Sequence, residues 1–80
     1  MNLRVAILEV LLEADLRGAT FAVMIPHVQA QSLGEAWTRG EIERELIKLM
    51  SEELVLSRVD TLQQTNRYYI TSKGQVALAR

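Results

Sequence analysis

The chain has no cysteine and one histidine, His27, among its 80 residues. Without thiols there is neither a disulfide nor a thiolate metal site, and a lone histidine excludes the usual Cys/His zinc centres. Its glycines, Gly18, Gly34, Gly40 and Gly74, are scattered and build no phosphate-cradling loop. Proline occurs once, at Pro26, and tryptophan once, at Trp37. Excess charge is also missing. The formal net charge is -1, so the strongly basic balance that marks many nucleic-acid binders is absent. Long apolar runs are missing too: the longest, Thr20 to Pro26, is far too short to cross a bilayer. Arg4 is soon followed by Glu9 and Glu13, the pattern of a mature helix and not of a cleavable signal peptide. A cytoplasmic chain with no membrane partner is the expectation.

What is present is ample apolar content, 49%, enough for one core and one domain spanning residues 1–80. A domain of this size buries only about 60% of its unfolded surface, so core packing, alone or with a partner subunit, must supply its stability. Asn2 caps a first helix running to Ala14. Leu3, Ile7, Val10 and Leu11 fall at helical spacing, and Val5, Leu8 and Leu12 widen the apolar face beyond half the circumference. Such a helix is central, or lends part of its surplus face to another subunit. Asp15 to Gly18 end it, with Gly18 able to take the turn.

The second helix places Phe21, Ile25 and Val28 on one stripe, with Ser32 next in line. Proline is tolerated at a first helical position and costly in an interior. The regular part is therefore expected from about Ile25 to Ser32, with Thr20 to Met24 leading in and Gly34 as the stop. Glu35 to Trp37 connect onward, with Trp37 expected in the core or anchoring a very short strand. Thr38 and Glu41 form a capping box for a third helix, 38–53, whose apolar stripe is Ile42, Leu46, Leu49 and Met50.

At Val55 the period changes from helical to alternating. Val55 to Val59 and Arg67 to Thr71 read as a hairpin around a loop of about seven residues, Asp60 to Asn66. A lone hairpin is marginal in water, so one face must pack on the helices. Ser72 and Gln75 repeat the capping-box spacing and open a short closing helix. The expected class is α+β: a winged helix with a three-helix core, a two- or three-stranded wing sheet and a short C-terminal helix.

Two stretches carry a family likeness. Glu41 to Val59 runs from a helix through a Leu-Val-Leu step into a strand. Tyr68-Tyr-Ile-Thr-Ser-Lys-Gly-Gln-Val-Ala-Leu78 resembles the closing motif of winged helix-turn-helix domains of the MarR/PadR-like kind. The whole chain also resembles small winged-helix proteins of Mu-like prophages. One departure is Glu53, standing in the turn before the wing where those families usually place glycine. The resemblance implies a DNA-binding transcription regulator or phage-type accessory protein, with the third helix (38–53) in the major groove and the wing (58–67) on the backbone. It makes Thr38, Arg39, Glu43, Arg44 and Lys48 the contacts on the helix. It adds Arg58, Gln63, Gln64, Asn66 and Arg67 in the wing, and Lys73 at the last helix start. Pairing of two copies through the first and last helices is also implied.

The residues themselves leave a competing reading. Glu41 to Ser57 hold five acidic and two basic residues, an unfavourable balance for a DNA-reading helix. With the near-neutral total and the apolar surplus of the first helix, this composition also suits a protein-interaction module that binds no DNA. Ile47, beside the core stripe, adds a little to that reading if it is exposed; the plainer expectation is a boundary position that is still largely buried. Catalysis has no visible basis: Glu9/Glu13 and Glu41/Glu45 are ordinary helical neighbours, and His27 has no partner constellation. No catalytic, metal or cofactor site is expected.

Overall fold

In the computed structural model, which describes residues 2–31 and 36–79, the Asn2 carboxamide accepts from the Val5 amide at 2.8 Å and starts helix α1 (Leu3–Ala14). Ala6, Ile7, Leu8, Val10 and Leu11 are buried along it. The helix touches every other helix and the last strand, which explains its broad apolar girth. A 3₁₀ turn, Asp15–Arg17, ends at Gly18, whose φ is +63°. A Cβ there would lie 2.8 Å from the Tyr68 carbonyl oxygen and 2.5 Å from Cε2 of the Tyr69 ring. Glycine thus lets strand β1 (Ala19–Thr20) lie against the hairpin.

Helix α2 (Phe21–Ala30) begins earlier than Pro26 led us to expect. Thr20 decides this. Its backbone is pinned in β1, and its hydroxyl accepts from the Val23 amide at 3.3 Å, so the helix must start at Phe21. Pro26 then falls inside, at a typical cost of about 3 kcal/mol. Burial of Met24 and Val28 opposes that cost, and the deprived Ala22 carbonyl belongs to an exposed residue, where water can reach it. The expected continuation through Ser32 and the stop at Gly34 lie outside the described residues. Trp37 is buried as expected, but belongs to no strand. The short strand is β1 instead.

Helix α3 (Arg39–Ser51) carries the capping box in full: the Thr38 hydroxyl accepts from the Glu41 amide at 3.2 Å, and the Glu41 carboxylate accepts from the Thr38 amide at 3.0 Å. Ile42, Leu46 and Leu49 are buried, and the helix stops two residues short of Glu53. Glu53 has φ +64°, the conformation glycine favours, at a typical cost of about 1–2 kcal/mol. Its carbonyl accepts from the Thr71 hydroxyl at 2.7 Å, which helps hold the strained corner.

Strands β2 (Val55–Asp60) and β3 (Thr65–Ile70) pair in register from Val55↔Ile70 to Asp60↔Thr65, and the antiparallel sheet has the order β1-β3-β2. The wing loop is therefore residues 61–64, shorter than its polar composition suggested. Asp60 closes it by accepting from the amides of Leu62 and Gln63 at 3.1 and 3.3 Å. Helix α4 (Ser72–Ala79) is capped by Thr71 and not by Ser72: the Thr71 hydroxyl accepts from the Gly74 amide at 2.9 Å. The helix returns onto α1. Among the described residues no helix is long and apolar enough to cross a membrane.

Candidate nucleic-acid interface

Helix α3 has one buried line, Ile42, Leu46 and Leu49, so the opposite line, Gly40, Arg44, Ile47 and Ser51, faces out. Arg39, Glu43, Arg44 and Lys48 are all exposed on it or beside it. Arg39 is held over the Phe21 ring, 5.3 Å from its centroid. Arg44 leans back one turn, its Nε donating to the Gly40 carbonyl at 3.4 Å. Thr38 stands at the helix start, where its hydroxyl accepts in the cap and keeps its own hydrogen to donate.

The glutamates, which looked unfavourable in one dimension, separate in three. Arg4 of α1 donates both terminal nitrogens to Glu52 and lies 3.5 Å from Glu45. Those two carboxylates therefore face α1. Glu41 is folded onto the Thr38 amide, and Glu53 sits in the corner beyond the helix. Glu43 alone stands on the outer flank with no hydrogen-bonded or ion-pair partner among the described residues. This use of Arg4 was invisible in sequence, because its partners lie more than forty positions away.

Strand alternation divides the wing candidates. Arg58 and Arg67 are cross-strand partners on the sheet face shared with Leu56 and Tyr69, away from α3. Arg67 is committed within the protein: it donates to Asp60 at 3.4 Å and to the Arg17 carbonyl at 3.1 Å. Asn66 shares the other face with Tyr68, and Gln63 and Gln64 form the exposed tip, where Gln64 has φ +52°. Lys73 is exposed at the start of α4, near enough to Glu52 to help lower its carboxyl. His27 is exposed on α2 and lines an open cleft with Val10, Arg17 and Arg67. No cluster of three or more His, Asp or Glu side chains able to hold a metal occurs among the described residues.

Among the described residues three carboxyls are held below their ordinary range: Glu41 by the Thr38 amide, Glu52 by the Arg4 guanidinium and Asp60 by the Gln63 amide. A depressed folded value stabilises the fold above the unfolded value, and that stabilisation is lost as pH falls through the folded one. The ordinary values are 4.5 for glutamate and 3.8 for aspartate. Thermal melts are therefore expected to hold level from neutrality to about pH 5 and then fall progressively. A melting temperature unchanged at pH 3 would show that these contacts do not persist in solution.

With this geometry in place, the chain has the winged helix-turn-helix fold seen in MarR-family regulators. It superposes on a MarR-family transcriptional regulator from Silicibacter pomeroyi with a TM-score of 0.78 and 22% identity, over 98% of this chain and 47% of that one. A second MarR-family transcription regulator gives 0.77 and 24%, over 96% of this chain and 46% of the other. The chain thus spans about half the length of these two structures, and the likeness is one of fold. No protein-family model and no curated protein matches the sequence.

Proposed function

We propose that the chain binds double-stranded DNA, with α3 in the major groove and the wing against the backbone, in the service of transcription regulation or as a phage-type accessory protein. The observation that carries this reading is the sorting of charge on α3. Arg4 takes Glu45 and Glu52, which leaves Arg39, Arg44 and Lys48 on the outward side. Arg44 and Lys48 can donate to guanine edges, and Glu43 can accept from cytosine. Thr38, Arg39 and Lys73 suit phosphate oxygens. In the wing, Arg58, Gln63, Gln64 and Asn66 are exposed for backbone contact, and Arg67 keeps the hairpin in shape for them.

Pairing of two copies through α1 and α4 goes with this reading. Leu12, Leu16 and Val76 are exposed apolar residues on or next to those helices. A pair doubles the cations offered to one duplex.

Anisotropy titration of a labelled mixed-sequence duplex at low salt tests the proposal. Three cation–phosphate contacts, from Arg39, Arg58 and Lys73, predict a fall in affinity of roughly fortyfold for a fourfold rise in salt, and paired chains about twice that logarithmic slope. Absence of binding at tens of micromolar, with the protein shown folded by circular dichroism, would reject it. The protein-interaction reading would then stand in its place.

A further inference from the structure

Ile47 has no role in the fold that accounts for its position. It is 54% exposed, while Leu46 beside it is buried. A single exposed isoleucine would need no explanation, but two further features converge on this one. Arg44 leans back over Gly40, so its stem leaves Ile47 uncovered on the outward line. Gly40 itself is a helical glycine that the fold does not require. A Cβ there would meet only the Arg44 guanidinium, at 3.9 Å, and φ is not positive. Glycine is a poor helix former, so its presence where only the flexible Arg44 guanidinium lies within contact points to close approach by another body.

A slim first turn lets α3 sit deep in a groove, and a short side chain one or two turns on then reaches the floor. We infer that Ile47 reads the methyl group of a thymine, acting as a specificity determinant for the DNA binding proposed above, on which this inference rests. The methyl is the one apolar feature a base pair shows in the major groove, and isoleucine offers only apolar contact. Beside Ile47 a shallow cleft of about 260 Å³ is lined by Met50, Phe21 and Tyr68 together with Arg39 and Glu43. Arg39 and Glu43 line the same cleft as Ile47, and Arg44 and Lys48 are exposed on the same helix, so three cations against one carboxylate favour a nucleic acid over an apolar protein segment.

The test uses the full chain. A random-sequence duplex pool is enriched by binding at low salt, and one tight duplex is taken from it. Each thymine is then replaced singly by deoxyuridine, which removes only the methyl. At one position or more the wild type is expected to bind about fourfold more weakly, the worth of one buried methyl group. Ile47→Ala is expected to bind the thymine and deoxyuridine duplexes equally, and Ile47→Val to keep part of the difference. Because Ile47 is exposed, both variants should melt with the wild type.

A wild type indifferent to every deoxyuridine, while still binding DNA, overturns this inference and leaves DNA binding intact. Ile47→Ala retaining the full methyl discrimination also overturns it. If the pool yields no bound duplex at all, both readings fall together.

Discussion

Gly74→Ala is expected to lower stability by about 3 kcal/mol or more, the upper range for forcing a methyl into a packed site. Gly74 is buried in the first turn of α4. A Cβ there would overlap the Leu54 carbonyl oxygen and lie 2.8 Å from Ile70 Cγ1. The oxygen is backbone, and it already accepts from the Thr71 amide at 3.0 Å. It cannot swing aside as a flexible side chain would. Relief requires moving α4 off the corner between α3 and β2, which breaks the Thr71 contacts to Glu53 and Leu54. A domain of this size has a total stability on the order of 5–10 kcal/mol, so the loss is a large share of it. Urea unfolding measures it. Gly40→Ala is the control: its Cβ would meet only the flexible Arg44 guanidinium, at 3.9 Å, so that variant is expected to be neutral or slightly more stable. Equal midpoints for the two variants would contradict the close approach at Gly74.

Leu11→Ala is expected to cost about 2–5 kcal/mol, the transfer free energy of the lost atoms plus a cavity. Leu11 is 0% exposed on the helix around which the others pack. Leu16→Ala changes the same residue type five positions later, where the leucine is 89% exposed. It is expected to alter stability by no more than about 0.5 kcal/mol. Denaturant midpoints of the two variants check the contrast. Similar values would mean that α1 does not hold the centre of the core. Leu16→Ala also bears on pairing of two chains, since a loss of association without a loss of fold would place Leu16 in the contact.

These contrasts show where sequence reading reaches its limit. Helix periodicity placed Ile42, Leu46 and Leu49 inside and Arg44 and Lys48 outside α3 correctly, because burial there follows one local stripe. Thr38 and Glu41 announced their capping box for the same reason: both partners lie within one turn. The Tyr-Ile-Thr-Ser-Lys-Gly segment marked the hinge from wing to last helix, although it did not say which hydroxyl caps. Thr71 takes that part because its backbone is already tied to Leu54, so its side chain is aimed before the helix begins.

The second helix was misplaced because Pro26 was weighed by local preference alone. Pairing of Ala19 and Thr20 with β3 lies almost fifty residues away, and it outweighed that preference. The wing loop was overestimated for a related reason. Asn66 and Asp60 favour turns as isolated residues, yet pairing with Val59 and Thr65 makes them strand ends.

The missing cysteines, the scarce histidine and the near-neutral charge determined by themselves that this domain stands on packing and carries no thiolate metal centre. The helical stripes, caps and change of period determined its winged-helix class. Only the tertiary structure decided which charges count. Five acidic residues in the stretch holding α3 looked like an obstacle to DNA, but Arg4 draws Glu45 and Glu52 toward α1, and Thr38 occupies Glu41. The physical reason is that composition is summed along the chain, whereas electrostatic and apolar contact act through space. The same step from line to surface leaves Gly40 with only the Arg44 guanidinium beside it and Ile47 exposed on the outward side of α3, the two features on which the proposed groove reading rests.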